Sequence, residues 1–496
     1  MKPFFLLCIP LFFFGCTEKI PESKSNAKVS PLSARLDELI QTQKQSFDVP
    51  GLAVGIIKEG EIIYAHGSGV QSLDKGDTLT TKSLFHMASV SKPFVATAIM
   101  QLVEQDKIEL DKKLTDYLPY FKMNDQRYTE ITIGQMLNHT SGIPDVEDYE
   151  WDKPQYDEGA AERYVRTFKS EKLDFSPGTE YNYSNAAFDI LADVIAKVSG
   201  MTFEAYMVKH LFEPIGMTNS TFYKPDVPVE LATAPHVLGE GLKITKGNTY
   251  PYNRIHAPSS TLHSNVEDML LWAKVNLNQG TINGKEIYTQ DSYKRLTSGQ
   301  VPVWEKDSVC LSWFTGCVGD FRMLRHSGGD VGYSTFFGFI PERKSAVVLM
   351  ANTDLFWSAN AATHILETVL LDETKPWKGP IHFKLKDYIL NAGIEKCKEV
   401  YFSEKENFPE KYIFEGWCLD DLGYWLLDRG YPEKALDVFQ FNLELEPDDS
   451  GWVDSVGDAY RALNDKEMAI HWYKKALEMN PDQDFSREKL NALTKK

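Results

Sequence analysis

The sequence predicts an α+β domain followed by an all-α helical-repeat domain. Patterns typical of antiparallel strands occur near both ends of the first domain, and the long segment between them alternates helix-like stretches with loops rich in Pro, Gly and Asn. The second domain is distinguished by a period of 34 residues that begins near residue 416. A chain of 496 residues is also too long for one ordinary hydrophobic core.

The first domain is predicted over residues 31–372, as an antiparallel sheet flanked by terminal helices with a large, mostly helical insertion. Residues 31–47 have apolar positions at helical spacing and end before a Pro-Gly pair. Two β-rich runs meet at Glu59-Gly60 as a hairpin, and the apolar stretch Pro93–Gln105 predicts a buried helix. Further strands are predicted at 308–317, 321–327, 333–340 and 345–352, and a last helix at 358–371.

The C-terminal segment, residues 416–496, contains two helix–turn–helix units. Aligning 416–449 with 450–483 superposes small, aromatic and proline positions: Gly423 with Gly457, Ala435 with Ala469, Phe439 with Tyr473 and Pro447 with Pro481. This pattern resembles the tetratricopeptide repeat, which implies a protein or peptide partner at the repeats. A helical pair that only stabilises the chain is the alternative. Because two repeats bury little surface alone, we expect them to be capped by the tail 484–494 and by the helical stretch 384–402 of the linker and helical region 373–415, or to pack on a face of the first domain.

The composition excludes one class of partner and gives no sign of a cofactor. A formal net charge of −18 argues against a nucleic-acid-binding face. No metal or cofactor is expected, because metal-ligand spacing is absent among His66, His86, His236, His256 and His263, and His139 is assigned a structural role. Four cysteines beyond residue 16 are expected to be buried core residues: Cys310, Cys317, Cys397 and Cys418.

The N-terminus predicts a bacterial lipoprotein. One early lysine and an apolar run to Phe14 form a signal-peptide core too short to span a bilayer. Gly15-Cys16 resembles the bacterial lipobox, which implies a signal peptide at 1–15, lipidation of Cys16 and a polar tether at 16–30. The protein would then lie in the cell envelope, anchored to a membrane and facing the periplasm or the surface. An ordinary secretory signal is the alternative, because the residues before Gly15 are bulky.

The segment MASVSKPF, residues 87–94, places Ser89 and Lys92 three residues apart at the start of an apolar helix. On a helix this spacing puts both side chains on one face, and Pro93 is tolerated in the first turn. The helix N-terminus also favours developing negative charge. Taken alone, however, Ser-x-x-Lys is a common pattern, and either Ser89 or Ser91 would also suit a helix N-cap.

Two later segments favour a catalytic interpretation. Tyr183-Ser184-Asn185 follows a Pro-Gly turn and enters a helix, and His326-Ser327-Gly328 lies on a strand before Gly329. Ser-x-x-Lys, Tyr-x-Asn and a basic residue-x-Gly, in this order, resemble the serine β-lactamase and penicillin-binding protein superfamily over residues 31–372. The Tyr-x-Asn motif points to its class C-like branch, which also contains peptidases and esterases. Tyr181 has no asparagine two residues later, so Tyr183 is the motif tyrosine.

The resemblance implies a role for each motif residue. Ser89 would attack a carbonyl carbon and form an acyl-enzyme, and either Lys92 or Tyr183 would be the general base. Asn185 would orient the substrate amide and Lys92. The backbone N–H groups of Ser89 and Gly329 would form the oxyanion hole. The remaining substrate-binding residues would be His326, Ser327 and Gly328.

The third motif departs from β-lactamases of this branch, which usually carry Lys-Thr-Gly. Histidine is only partly charged near neutral pH, so His326 should bind a substrate carboxylate more weakly than lysine does. This favours a serine hydrolase that acts on small peptides, including D-amino-acid peptides of the cell wall, or on esters. Two alternatives stay open: a class C-like β-lactamase, and a non-catalytic penicillin-binding or ligand-sensing module whose repeats bind a partner.

The lipoprotein hypothesis predicts that Cys16→Ser abolishes incorporation of a labelled fatty acid into the protein, because the acceptor thiol is lost. The measurement is metabolic labelling followed by immunoprecipitation. Cys8→Ser is the matched control, since residue 8 lies within the segment predicted to be removed. Equal labelling of the Cys16 variant and the wild type would contradict lipidation at this residue.

Overall fold

The computed structural model describes residues 31–299, 301–303, 307–371 and 375–495. The predicted signal peptide, Cys16 and the tether at 16–30 lie outside these residues. Within the described ranges, eight strands form one antiparallel sheet with helices on both faces, and a helical region follows it. The predicted fold class is therefore confirmed. In the same ranges, no helix has the length and apolar character needed to cross a membrane.

The large sheet contains strands from both ends of the first domain. In chain order they are β1 Gly51–Lys58, β2 Glu61–Gly69, β3 Val301–Pro302, β4 Ser308–Val309, β5 Phe314–Val318, β6 Phe321–Asp330, β7 Tyr333–Ile340 and β8 Ser345–Ala351. Their order across the sheet is β2-β1-β8-β7-β6-β5-β4-β3. Glu59 and Gly60 have φ of 54° and 88° and make the predicted tight hairpin between β1 and β2.

Eleven helices of more than ten residues occur in the described part of the chain. They are α1 Pro31–Ser46, α2 Lys92–Glu104, α3 Asn185–Ser199, α4 Val266–Leu277, α5 Ser358–Leu370, α6 His382–Asn407, α7 Gly416–Leu427, α8 Pro432–Leu445, α9 Ser450–Ala462, α10 Lys466–Met479 and α11 Asp484–Thr494. Shorter helices of the insertion are Leu114–Tyr117, Ile133–Leu137, Ala160–Thr167, Phe203–Met207, Glu213–Ile215, Ala257–Ser260 and Gln290–Ser298.

Four small strand pairs lie outside the large sheet in the described residues. Three are antiparallel and one is parallel. The antiparallel pairs are Phe85–His86 with His263–Ser264, His236–Leu238 with Ile244–Lys246, and Thr281–Ile282 with Lys285–Glu286. The parallel pair joins Gly379–Pro380 to Tyr412–Ile413, at the start of the helical region.

Strand β8 is buried along its whole length because helices cover both faces of the sheet. Val348 and Met350 face the core shared with α2, α3 and α4, whereas Val347 and Leu349 face the core shared with α1 and α5. This alternation is the period-two pattern of a strand. Full burial of a side chain of this size stabilises a protein by about 1.5–3 kcal/mol. The first core fixes α2 against the sheet, and with it the residues that precede α2.

The prediction of one continuous strand over 308–317 is wrong, because this segment forms two strands joined by a turn. Ser312 has a left-handed φ of 72°, and Cys310 N–H donates to the Trp313 carbonyl at 2.7 Å. The turn separates β4 from β5 and places the two cysteines differently: Cys310 is buried, whereas Cys317 is exposed. The predicted burial of Cys317 is therefore also wrong, while Cys397 and Cys418 are buried as predicted.

The helical region has the predicted paired helices, α7 with α8 and α9 with α10. An ideal Cβ built on Gly423 would lie 2.1 Å from Cε1 of Phe439, and one on Gly457 would lie 2.7 Å from Cε1 of Tyr473. Glycine is thus required at both positions for the helices to approach. The tail helix α11 packs on α10, and its Lys489 forms an ion pair with Asp458 at 2.6 Å.

A hairpin of the first domain joins this helical region to the sheet. Leu238 and Leu242 belong to the same hydrophobic core as α6, α7, α8 and α9. Arg429, between α7 and α8, donates from Nη2 to the Leu238 carbonyl at 2.8 Å. At the start of the hairpin, His236 N–H donates to the carbonyl of Gly332 in the β6–β7 turn at 3.4 Å. The two parts of the chain therefore share a continuous apolar contact.

Gly423→Ala is expected to destabilise the helical region. The added methyl group meets the buried ring of Phe439, and overpacking of this kind typically costs about 1–3 kcal/mol, more than the roughly 1 kcal/mol that alanine gains over glycine in a helix. Urea denaturation monitored by circular dichroism gives the free energy of unfolding. Gly299→Ala is the control, because its Cβ would meet nothing within 4 Å. Unchanged stability of the Gly423 variant would contradict the close helix contact.

Candidate active site

Ser89 lies on a single 3-10 turn, Ala88–Ser91, that leads directly into α2. The preceding Ala88 has a positive φ of 47°, which is a strained conformation for a residue with a side chain. The turn leaves Ser89 partly exposed, while Ser91 is buried and accepts a hydrogen bond from Leu262 N–H at 2.9 Å. Ser91 stands at the N-cap position of α2 but makes no side-chain cap hydrogen bond.

Lys92, the first residue of α2, has a wholly buried side chain with three hydrogen-bond acceptors. Its Nζ lies 2.9 Å from Ser89 Oγ, 2.6 Å from Asn185 Oδ1 and 2.8 Å from the Ser259 carbonyl oxygen. Burial lowers the pKa of Lys92 to about 7, against the opposing charges of nearby aspartates. Near neutral pH the amine therefore has both protonation states available.

Tyr183 contacts the same serine from the other side. Its hydroxyl donates to Ser89 Oγ at 3.0 Å, and its ring stacks on His139 with the centroids 4.3 Å apart. Burial raises the pKa of Tyr183 well above its usual value, so the hydroxyl keeps its proton in the resting site. His139 also fixes the residue that precedes α3, because its Nδ1 accepts a hydrogen bond from the Ser184 N–H at 3.1 Å.

Asn185 begins α3, where Ser184 is the N-cap. Its amide is engaged at both ends: Oδ1 accepts from Lys92, and Nδ2 donates to Asp145 Oδ2 at 3.2 Å. The Asn185 backbone N–H also donates to Asp145 Oδ1, at 2.6 Å. Asp145 thereby fixes the amide so that its oxygen faces the lysine. The expected contact of Asn185 with a substrate amide stays a prediction.

The third motif lies on β6, where the strand extends past β5. Strand β6 pairs with β5 from Phe321 to Arg325 and with β7 as far as Asp330. Gly328 is pressed against a neighbouring segment, since an added Cβ would lie 2.3 Å from the Met87 carbonyl oxygen. Gly329, in contrast, has open space on its Cβ side. The backbone of β6 therefore lies close to the turn that carries Ser89.

His326 is buried and neutral. Its Nδ1 lies 2.7 Å from the Ser327 carbonyl oxygen; because a carbonyl only accepts, Nδ1 carries the proton. Burial, followed by the charge of Lys92, lowers the pKa of His326 to about 3. The side chain thus brings no positive charge to the site at neutral pH. Ser327, its neighbour, is exposed.

The three motifs line one cavity of about 300 Å³. Its walls are formed by Ser89, Tyr181, Tyr183, Phe314, Arg325, His326, Ser327 and Gly329. A larger cavity of about 600 Å³, lined by aromatic residues such as Trp151 and Tyr252, contains none of the motif residues. We therefore place the candidate active site in the smaller cavity, where the nucleophilic and titratable side chains converge.

Sequence reasoning missed four residues that hold this site. His139 and Asp145 orient Tyr183 and Asn185, as described above. Asp330 ends β6 and accepts from His86 Nε2 at 2.7 Å and from the Ser260 hydroxyl. Asp189, on α3, lies behind Lys92 and pairs with His256. Of the four, only His139 had an expected role, a structural one, which its hydrogen bond from Ser184 N–H supports; nothing in the sequence marked the other three.

Comparison with known proteins gives the family. The beta-lactamase family profile matches residues 36–369, more than half of the chain, and a tetratricopeptide-repeat profile matches residues 455–483. The chain belongs to the beta-lactamase family, which is typically a family of serine hydrolases of the β-lactamase and penicillin-binding type. The resemblance seen in the three motifs is therefore confirmed at the level of the family.

Individual relatives are distant. Protein flp of Staphylococcus aureus (strain MW2) is 26% identical over 333 residues, which cover 67% of this chain and 65% of the relative. The chain thus spans less than two thirds of the staphylococcal relative's length. Penicillin-binding protein 4* of Bacillus subtilis (strain 168) is 28% identical over 340 residues, covering 63% of this chain and 70% of the relative.

Solved structures share the fold. The octameric penicillin-binding protein homologue from Pyrococcus abyssi matches with a TM-score of 0.62 and 24% sequence identity. The match covers 72% of this chain and 81% of the homologue's chain. The penicillin-binding protein from Bacillus halodurans has a TM-score of 0.58 and 23% identity, with coverage of 67% and 99%. At these identities the likeness concerns the fold.

The neutral state of His326 predicts a pH dependence of stability. Its folded pKa of about 3 lies below that of an unfolded histidine, so between these values the unfolded chain binds one more proton. Stability contributed by this residue is full above about pH 6.5 and falls as the pH decreases towards 3.

His326→Asn, which keeps a donor for the Ser327 carbonyl, should flatten this fall by up to about 1.4 kcal/mol per pH unit. The check is denaturant unfolding of both proteins at about pH 5 and about pH 7.5. His66→Asn, at an exposed position on β2, is the control. An identical slope for the wild type and the His326 variant would show that His326 protonates in the folded protein.

Proposed function

We propose that this protein is a serine hydrolase that acts through an acyl-Ser89 intermediate on small peptides or esters. One observation supports it above all: Ser89 Oγ receives hydrogen bonds from both Lys92 Nζ, at 2.9 Å, and the Tyr183 hydroxyl, at 3.0 Å. A hydroxyl held between an amine that titrates near neutral pH and a phenol has the partners of an activated nucleophile. The same oxygen borders the cavity.

In the proposed acylation step, Ser89 Oγ bonds to the substrate carbonyl carbon while its proton passes to the neutral amine of Lys92. We assign the base to Lys92, because its pKa is about 7 whereas burial keeps Tyr183 protonated. The bond from the carbonyl carbon to the leaving oxygen or nitrogen then breaks. Tyr183 donates a proton to that atom and is reprotonated by Lys92, so the leaving group departs as an alcohol or amine.

Deacylation reverses the proton path. A water molecule attacks the acyl carbon, Lys92 takes the water proton and returns it to Ser89 Oγ, and a carboxylic acid is released. In both steps the developing oxyanion would be held by the backbone N–H groups of Ser89 and Gly329. Gly329 lines the cavity, and nothing lies within 4 Å of the position that its Cβ would take. Loss of one such donor typically lowers the rate by about 100-fold or more.

The shape and charge of the cavity favour small substrates without a required carboxylate contact. About 300 Å³ lies at the lower end of the volumes of ligand sites. The neutral His326 offers no fixed cation at the third motif, and Arg325 in the cavity wall is already paired with Asp307 at 2.6 Å, which disfavours a dedicated class C-like β-lactamase. Small peptides, including D-amino-acid peptides of the cell wall, and small esters therefore fit the proposal better. The intact Ser89, Lys92 and Tyr183 contacts disfavour a non-catalytic ligand-sensing module.

We extend the proposal to the two ends of the chain. The repeat profile at 455–483 supports a protein or peptide partner at the helical region. The lipobox-like Gly15-Cys16 supports a lipid-anchored position in the bacterial cell envelope. These two proposals are independent of the chemistry at Ser89.

Ser89→Ala should abolish labelling of the protein by a fluorophosphonate probe, because the nucleophilic oxygen is removed. Tyr183→Phe should slow the release of alcohol from an alkyl ester by about 100-fold or more, since a proton donor to the leaving oxygen typically contributes this much. Ser91→Ala is the control: it loses the hydrogen bond from Leu262 and some stability but should keep its labelling. Gel fluorescence and peptide mass spectrometry give the rate and the labelled residue. Labelling that persists in the Ser89 variant would refute the proposed nucleophile.

Turnover of a mixed panel should favour small esters and D-amino-acid dipeptides over the chromogenic cephalosporin nitrocefin. The expected outcome is rapid release of acid from an ester or peptide and slow or absent nitrocefin hydrolysis, followed by mass spectrometry of acyl-Ser89. Fast nitrocefin turnover with rapid deacylation would instead support the β-lactamase. Stable labelling of Ser89 without any turnover would support the ligand-sensing module.

A further inference from the structure

The third acceptor of Lys92 belongs to a second layer of buried groups. The Ser259 carbonyl oxygen accepts from Lys92 at 2.8 Å, and the N–H of the same residue donates to Asp189 Oδ1 at 3.2 Å. Asp189 lies one helical turn after Asn185 on α3, on the face that carries Asn185 towards the lysine. Helix α3 therefore contributes twice to the position of Lys92. Asn185 accepts a hydrogen bond from the amine directly, and Asp189 holds the Ser259 peptide group whose carbonyl also accepts one.

Asp189 is paired with His256. Its Oδ2 lies 2.7 Å from His256 Nδ1, and both side chains are almost wholly buried, at 0% and 1% exposure. Because an ionised carboxylate only accepts, Nδ1 carries the proton. The rings of Tyr149, Trp151 and Tyr164 surround the imidazole at centroid distances of 4.9, 5.6 and 5.4 Å. This aromatic shell excludes water, so the charge of the carboxylate is little screened.

Lys92 needs such a counter-charge because burial alone favours its neutral form. Asp189 is the strongest of the three carboxylates that oppose this effect, ahead of Asp145 and Asp330. The other two are bonded elsewhere, Asp145 to Asn185 and Asp330 to His86 and Ser260. The remaining titratable side chains facing the amine are Tyr183, His139 and His326.

We propose that Asp189 and His256 are positioning residues that hold the Lys92 amine against Ser89 through the Ser259 peptide and supply the buried charge that lets it take up and return a proton. The inference rests on the proposed function, because only a proton-transferring Lys92 requires both states. His256 acts through Asp189: its donated hydrogen bond holds the carboxylate in its orientation. Neither residue contacts the cavity that contains Ser89.

The decisive variant is Asp189→Asn, which keeps the shape but removes the charge. Since loss of a neighbouring negative charge destabilises the protonated amine, the titration midpoint of Lys92 should move to lower pH by about one unit. Heteronuclear NMR of ¹³C-labelled lysine, with the Lys92 signal assigned through Lys92→Arg, measures this midpoint without any substrate. A midpoint equal to that of the wild type would overturn the inference.

Asp193→Asn is the matched control on the same helix. Asp193 is also buried, but its partner is the hydroxyl of Tyr120 and it does not influence Lys92. Its variant should leave the Lys92 midpoint unchanged. A shift of equal size in both variants would mean that any lost carboxylate on α3 perturbs the site, and would likewise reject a specific role for Asp189.

Changes at His256 test the pair without altering the carboxylate, and they keep the inference testable if Asp189→Asn does not fold. His256→Phe removes the donor and fills the aromatic shell, so the Lys92 midpoint should again move to lower pH. His256→Asn places an amide donor near the position of Nδ1 and should restore the wild-type midpoint. Equal midpoints in the Phe and Asn variants would contradict the role of the donated hydrogen bond.

Kinetics separate this inference from the proposed function. The rate of Ser89 labelling by the fluorophosphonate probe, measured against pH, should show an inflection that shifts to lower pH in Asp189→Asn together with the NMR midpoint. Absence of labelling in the wild type would refute the hydrolase but leave the NMR midpoints to decide the positioning of Lys92. Labelling with an unmoved inflection would refute the positioning role alone.

Discussion

The burial of one ammonium group determines how the candidate active site is built. An amine removed from water loses several kcal/mol of solvation unless acceptors and negative charge surround it. Lys92 finds these on separate elements: Asn185 on α3, the Ser259 carbonyl on a short helix, and the charges of Asp189 and Asp330. The insertion and the sheet must therefore meet at this point, which explains why α2 lies so deeply in the core between them.

The two neighbouring imidazole rings are neutral. Burial, followed by the charge of Lys92, lowers the pKa of both His139 and His326, so neither histidine is a second cation beside the amine. The site then contains a single titratable amine and two neutral imidazoles that act as packing and hydrogen-bonding groups. A strand lysine at position 326 would put a second buried cation beside the first, and the surrounding carboxylates are already engaged.

Short motifs were predictable because local geometry fixes them. Ser89 and Lys92 meet through helical spacing, and the repeats follow from their 34-residue period. The Asp189–His256 pair was not predictable, since its partners are 67 residues apart and meet only through the path of the insertion. Similarly, no compositional signal marked Ser312 as a left-handed turn residue, so the strand break, and with it the exposure of Cys317, was missed.

The contact of Arg429 with the hairpin at Leu238 has a mechanical consequence. A domain joined by a flexible tether has no fixed orientation relative to its neighbour. These repeats, in contrast, pack on the first domain through a shared hydrophobic core. Whatever binds the repeats would be carried at a constant distance and angle from the β6–β7 turn, which the same hairpin touches at Gly332. The helical region is therefore a rigid extension of the first domain, with a fixed orientation relative to the candidate active site.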